Sequence, residues 1–228
     1  MLVLSWNLYH GRAVPPAHRD LYGAFAAKLA GWAWDAALLQ ECPPWWPAQL
    51  ARDCGAQEHH ALTARNGFLP LRHFIATRWP DFIKSNGGGC NAILLRGEAV
   101  PAQPADHRFA VLRTRPERRV VHAVRLREGG WIANLHAQVW SEERAQADAA
   151  TAAAHVLAWA GDAPVVLGGD FNTPAPHPAG LTDRGGHKVD RILTRGWTAN
   201  TPATTLDHGQ LSDHAPVVIE LLREGNTT

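Results

Sequence analysis

Pro164-Val-Val-Leu-Gly-Gly-Asp-Phe-Asn172 is the stretch on which the reading of this chain turns. Its first half is a short, β-branched apolar run of the kind that forms a buried strand. Its second half sets an acid and an amide, Asp170 and Asn172, just past the strand's end, where a rigid scaffold normally presents catalytic groups. The same pattern recurs outward in both directions. Leu2 to Trp6 reads as a strand ending in Asn7, Ala36 to Glu41 as one ending in Gln40-Glu41, and Trp131 to His136 as one carrying Asn134 and His136. Downstream, Ala215 to Leu222 is strand-like and is preceded by Ser212-Asp213-His214. Asp190 sits inside Val189-Asp-Arg-Ile-Leu193, a strand pattern in which a lone carboxylate is expensive to bury without a partner. Asn91 to Leu95 and Val120 to Leu126 complete the strand candidates. Helices are predicted from Asp20 to Gly31, where Leu21, Phe25 and Leu29 recur every four residues, and from the N-cap Ser141 to Ala160.

Composition narrows the class. The chain has 228 residues, 46% hydrophobic and 19% charged, which excludes a disordered or fibrous protein. At this length roughly 70–75% of the extended-chain surface can be buried, so no disulfide or structural metal is needed to hold it together. No repeat or linker divides it, and one α+β domain over 1–224 with a frayed tail at 225–228 is expected. No apolar run is long enough for a membrane span, and the start lacks a signal peptide's pattern. Twenty-two basic and 21 acidic residues give a net charge of +1, so the chain is no bulk polycation. Three cysteines without metal-ligand spacing point to a reduced, cytoplasmic setting.

Taken one at a time, the strand-end residues have ordinary explanations; Asp170 with Asn172 can simply form an Asx-turn. Together they are chemically coherent. Glu41, Asp170, Asp213, Asn7 and Asn172 are hard oxygen donors that suit Mg²⁺ or Mn²⁺, and no pattern suits a structural zinc. His136 and His214 remain as proton carriers or as donors to a developing oxyanion. Metal-assisted hydrolysis of a phosphate ester is the reaction these groups fit.

The order of the motifs resembles the endonuclease/exonuclease/phosphatase superfamily, whose fold is DNase I-like. The resemblance runs from Leu2 to about Leu222 through Ser5-Trp-Asn7, Leu39-Gln-Glu41, Gly89-Cys-Asn-Ala-Ile-Leu, Asn134-Leu-His136, Gly168-Gly-Asp-Phe-Asn172, Val189-Asp-Arg-Ile-Leu and Ser212-Asp-His214. It implies a four-layer sandwich of two mostly antiparallel sheets flanked by helices. It further implies Glu41 as principal metal ligand, assisted by Asn7 and Asp213. Asp170 would orient or deprotonate the attacking water, with Asn172 holding it and a phosphate oxygen. His214 would be the catalytic histidine fixed by Asp190, and His136 would donate to the scissile phosphate or leaving oxygen. Whether Asp170 or His214 is the base stays open. Where DNase-type members have a supporting glutamate this chain has none, and Asn91 is expected to do that work.

The flanks bear on substrate. The tract from His107 to Arg127 holds seven arginines against Glu117 alone, including Arg118 and Arg119, the best placed for a phosphate contact. It is either a grip on a polyanion or an arginine-rich surface in a chain with three lysines. Trp45 and Trp46 could stack a nucleobase or pack as core, as the ten tryptophans would suggest. Gly87-Gly-Gly89 is not a P-loop. The expected protein is a monomeric phosphodiesterase, with DNA or RNA as leading substrate. A phosphatase or phosphodiesterase of a small molecule (nucleotide, inositol phosphate or lipid head group) is the alternative, and a silent binding module is a third reading.

Overall fold

Side-chain parity along the strands decides which layer each residue enters. In the computed structural model, which describes residues 1–101 and 105–225, thirteen strands form two mixed sheets. The first sheet contains β1 (Leu2–Asn7), β2 (Ala36–Cys42), β3 (Gln57–Leu62), β4 (Cys90–Leu95), β11 (Trp197–Ala199), β12 (Thr204–Thr205) and β13 (Val217–Arg223), in the order β11-β13-β1-β2-β4-β3 with β12 also on β13. The second contains β5 (His107–Arg113), β6 (Arg119–Arg125), β7 (Trp131–His136), β8 (Val165–Asp170), β9 (Thr182–His187) and β10 (Asp190–Arg195), in the order β5-β6-β7-β8-β10-β9. Each sheet has one parallel pair at its centre, β1 with β2 and β7 with β8.

Leu4, Trp6, Ala37 and Leu39 leave the first sheet on its outer face and pack on α1 (Tyr22–Gly31) and α2 (Pro47–Cys54). Residues of the other parity, Val3, Ala36, Leu38 and Ile93, meet Val124, Ile132, Val166 and Ile192 of the second sheet. Beyond that sheet, Val121, Ala133, Leu135, Val165 and Leu167 face the alanine-rich side of α5 (Glu142–Ala160). The result is the expected helix–sheet–sheet–helix sandwich, with three apolar layers in which each fully buried Leu, Ile or Val contributes about 1.5–3 kcal/mol. Ser141 caps α5 as expected, its Oγ accepting from the Arg144 amide at 3.3 Å.

Several expectations shift. Helix α1 begins at Tyr22, whose amide donates to Asp20 Oδ1 outside the helix. The Pro/Trp-rich stretch after Glu41 runs into α2, with Pro47 in its first turn and Gly55 closing it in the left-handed region. Helices α3 (Leu69–Arg78) and α4 (Pro80–Ile83) fill a segment in which no element was predicted. The expected tail lies outside the described residues from 226 onward; Glu224 itself is held by Gly196 O and by Arg184. The three cysteines are free thiols. No described helix is long and apolar enough to cross a membrane.

Candidate active site

Strand direction gathers the polar strand ends at one edge of the sandwich. Asn7 lies opposite Gln40 in the first parallel pair, and His136 opposite Asp170 in the second. Strand β10 runs antiparallel to β8, so its first residue, Asp190, faces Asp170. Strand β13 runs antiparallel to β1, so the segment leading into it ends where β1 ends. Ser212 Oγ closes that junction, donating to Asn7 O at 2.6 Å and accepting the His214 amide at 3.0 Å. Glu41 sits where the β2–β4 register breaks between Leu39 and Cys42, at φ 47°, a bulge that re-aims its carboxylate.

Asp170 is the centre of the cluster. Asn7 Nδ2 donates to its Oδ2 at 3.0 Å, and the Asn172 amide to its Oδ1 at 2.9 Å, so the Asx-turn and the site are the same object. His136 Nε2 is 3.5 Å and His214 Nε2 3.8 Å from Asp170 Oδ2. Behind His214, Asp190 Oδ2 lies 2.7 Å from Nδ1, the partner that the buried carboxylate was expected to have. Glu41 faces His136 at 3.9 Å across the cavity mouth, and Asp213 stands exposed at its rim. Arg119, buried and paired with Glu117 at 2.9 Å, completes the lining of a cavity of about 280 Å³. A larger hollow of about 330 Å³ at the far end of the sandwich, lined by Glu98, Trp197 and Arg223, holds none of these groups. The smaller cavity is the candidate because the convergent polar side chains are there.

Burial and charge set the protonation pattern. Burial drives the Asp170 carboxyl up, opposed by His214 and by the Asn7 and Asn172 hydrogen bonds. Burial likewise raises Asp190, to about 6. Burial pulls His214 down, but the Asp190 hydrogen bond and the charges of Asp190, Asp170 and Asp213 outweigh it and lift the imidazole to about 9. His136, fully enclosed and beside Arg119, is held well below the ordinary histidine range. Burial also raises Glu41, with Asp213 adding to it and Arg119 opposing. Glu41 and Asp170, both destabilised as anions by burial along one cavity, make a place that a cation would stabilise, and oxygen donors dominate the set. Asn7 Oδ1 accepts the Tyr9 amide at 2.9 Å, which leaves one lone pair for a cation. The ligand atoms of Asp170, Asp190 and His214 also lie within 4.8 Å of one another, a second grouping able to hold an ion.

Other expectations are redistributed. Asn91 does not reach the cavity: it is buried in β4 with Nδ2 donating to Val120 O at 3.1 Å, so it ties the two sheets together. Arg118 donates to Leu62 O at 2.6 Å and lines an adjoining recess, while Arg119 is at the site. Much of the arginine tract is engaged elsewhere, Arg108 with Asp106, Arg113 with Asp148 and Arg127 with Val100 O. Trp46 is core, packed on Phe25 and Tyr22, and Trp45 stacks on His73 with ring centroids 4.4 Å apart. Trp46 is therefore not free to stack a base, and Trp45 has one face taken by His73. Sequence reasoning missed Tyr9, His10 and Glu117, which also line the site or its recess. Only the closeness of Tyr9 and His10 to Asn7 could have flagged them.

Comparison with known proteins shows the family and the fold. The family model described as the Endonuclease/Exonuclease/phosphatase family matches residues 4–214. Among solved structures, a conserved protein of unknown function from Enterococcus faecalis is similar at 18% identity and TM-score 0.72, over 98% of this chain and 100% of that one. A mannosyl-6-phosphatase from Bacteroides thetaiotaomicron is similar at 14% identity and TM-score 0.69, over 97% and 99% of the two chains. Truncated TDP2 from Caenorhabditis elegans is similar at 17% identity and TM-score 0.64, over 96% of each. No curated protein matches the chain.

Proposed function

We propose, on the premise that this chain belongs to the endonuclease/exonuclease/phosphatase family of phosphoesterases, that it hydrolyses phosphodiesters with the help of Mg²⁺ or Mn²⁺, nucleic acid being the leading substrate class. The observation that carries the reading is the convergence of His136, Asp170 and His214 on one cavity, with His214 backed by Asp190.

Glu41 and Asp213, with the spare lone pair of Asn7, would hold the cation, which supplies charge neutralisation at the phosphoryl oxygens. The protein groups divide the remaining work. Arg119 and His136 border the space for the scissile phosphate, one as a fixed cation and the other as a neutral imidazole able to donate a hydrogen bond. Asn7 and the Asn172 amide fix the Asp170 carboxylate so that it can orient a water for in-line attack and accept its proton. His214, lifted to about 9 chiefly against the pull of burial by Asp190, enters as imidazolium and donates to an equatorial or leaving oxygen. On this reading Asp170 is the base and His214 the acid.

A second reading, hydrolysis of a small phosphorylated molecule, is favoured by the engaged arginines and the modest cavity. One structural neighbour is itself a sugar phosphatase by its description. A silent binding module would leave the buried Asp190–His214 pair without a use. The test is purified protein with Mg²⁺ or Mn²⁺ on plasmid, single-stranded DNA, RNA, bis-p-nitrophenyl phosphate and sugar phosphates, with a chelator control. Glu41→Ala and His214→Ala must both abolish whatever activity is found; unchanged activity in the two variants refutes the site. Turnover of small esters with no cleavage of any polynucleotide replaces the nuclease reading by the second one.

A further inference from the structure

The turn after β1 carries a feature that the catalytic reading leaves unused. Tyr9, His10 and Gly11 all have positive φ, at 50°, 53° and 74°. Consecutive left-handed residues with side chains are costly and persist only where the surroundings impose them. Here they are imposed: a Cβ on Gly11 would lie 2.5 Å from the Trp46 ring, so the buried tryptophan is the floor on which the turn is pressed. The effect is to turn the His10 imidazole back towards Glu41.

Both ring nitrogens of His10 face acceptors. Nδ1 lies 3.2 Å from Gly88 O, and Nε2 lies 3.2 Å from Glu41 Oε2. The glycine run that did not read as a P-loop explains the first contact. Gly88 has φ 98°, and a Cβ there would lie 2.6 Å from Asn66 Oδ1; a Cβ on Gly89 would crowd Thr63 Oγ1 at 3.1 Å and touch the His10 ring at 3.5 Å. The chain therefore passes closely enough to give its carbonyl to Nδ1. With the proton on Nδ1, the Nε2 lone pair and a carboxylate oxygen point at each other, which is unfavourable unless a cation sits between them.

A metal-bound histidine typically donates its other N–H to a backbone carbonyl or carboxylate, as His10 is placed to do. Two neighbouring ligand atoms at roughly 2.0–2.2 Å from an ion are about 3.0 Å apart at a right angle and about 3.4 Å apart at the tetrahedral angle. The observed 3.2 Å falls between these. We infer that His10 is a ligand, through Nε2, of the same cation that Glu41 holds. The inference rests on the metal-dependent reading above and adds to it a selection rule: a nitrogen donor shifts the site away from Mg²⁺, which favours oxygen, towards Mn²⁺ and later transition metals.

The test is metal binding, independent of turnover. Mn²⁺ and Mg²⁺ affinities are measured by calorimetry on wild type, His10→Asn and His10→Gln, with folding checked by circular dichroism. Asparagine tolerates the left-handed backbone but is too short to reach the ion. Pulsed electron paramagnetic resonance on the Mn²⁺ form reads directly bound nitrogen. Expected are Mn²⁺ binding weakened at least ~10-fold in both variants, Mg²⁺ binding within about twofold, and loss of imidazole nitrogen coupling. Unchanged Mn²⁺ affinity overturns the inference, as does nitrogen coupling that survives the substitution. Equal weakening of both ions also overturns it, leaving His10 as a residue that only positions Glu41. No saturable binding of either ion to wild type defeats the metal-dependent reading itself, which the other outcomes leave standing.

Discussion

Gly169→Ala should separate two adjacent glycines that look equivalent in the sequence. Gly169 precedes Asp170 at φ 141°, a backbone region that is essentially glycine's own. A Cβ there would lie 2.9 Å from the Leu135 carbonyl carbon and 3.0 Å from the Leu135 amide nitrogen, nearer still to the carbonyl oxygen, where ordinary contact starts at 3.4 Å. Backbone cannot rotate away, so β8 must move from β7 by on the order of 1 Å. Backbone strain of about 1–3 kcal/mol and overpacking of about 1–3 kcal/mol together predict a loss of about 2–6 kcal/mol. The same shift moves Asp170 relative to His136, now 3.5 Å away, and a 1 Å misplacement costs on the order of 10²-fold in turnover. Gly168→Ala is the control. Its Cβ would meet the end of the buried Leu38 side chain, Cδ1, at 2.6 Å and no backbone nearer than 3.6 Å, so a loss of about 1–3 kcal/mol, with turnover less affected than in Gly169→Ala, is expected. Urea unfolding followed by tryptophan fluorescence gives the stabilities, and initial rates on bis-p-nitrophenyl phosphate give the turnover. A Gly169→Ala protein within about 1 kcal/mol and twofold of wild type would refute the reasoning.

Asp190→Asn removes the charge that holds the His214 imidazolium and should lower kcat by about 10²–10⁴ with KM little changed; a KM effect alone would assign the pair to binding. Acid should weaken the fold through the edge cluster of His107 and His122, whose facing nitrogens are 3.1 Å apart. Burial, with the neighbouring histidines adding, holds His107 at about 4 and His122 well below its ordinary value of 6.5. The unfolded chain therefore binds more protons below pH 6.5, and stability present above that value is lost as pH falls towards 4. For the half-solvated His107 this is about 1–2 kcal/mol after screening. His122→Leu, which removes a buried Nε2 that has no partner among the described residues, should flatten that slope in pH-dependent urea titrations; an unchanged slope would clear the cluster. Phe68 and Phe82 are 85% and 82% exposed on or beside helices α3 and α4, so Phe68→Ser with Phe82→Ser should change the unfolding free energy by no more than about 0.5 kcal/mol each. A larger loss would mean that this apolar surface packs against something within the chain.

The central strands and most of the site were legible because buried strands are written in β-branched runs and their ends in ligand-type residues. Asp190 was the clearest case, an acid out of place until His214 is set beside it at 2.7 Å. Edge strands were not legible. Strand β3 reads Gln-Glu-His-His-Ala-Leu because only part of one face is covered, and no period of two survives. Helix α3 buries none of its side chains and so leaves no apolar stripe to detect. His10 was invisible for another reason. Its position depends on the fold of Trp46 and Gly88, far away in sequence, and no local spacing encodes a turn that a distant ring presses into shape. The misplacement of Asn91 shows the reverse error, a residue matched by motif whose side chain turns to Val120.

The groups of the candidate site are shared between the two sheets. Asn7, Glu41, Asp213 and His214 come with the first, and His136, Asp170 and Asp190 with the second. Asn7 to Asp170, His214 to Asp190, and Gln40 to Asn134 at 2.8 Å are among the polar stitches across the gap, with Asn91 to Val120 O further along. The site therefore works as a vernier, two scales whose marks coincide only at one sliding position. A small glide of one sheet over the other would leave every strand hydrogen-bonded and spoil the chemistry. The apolar layer of Leu38, Ile93, Val166 and Ile192 thus sets the timing of loss as well as the shape. On gentle denaturation activity should vanish while the secondary structure is still whole.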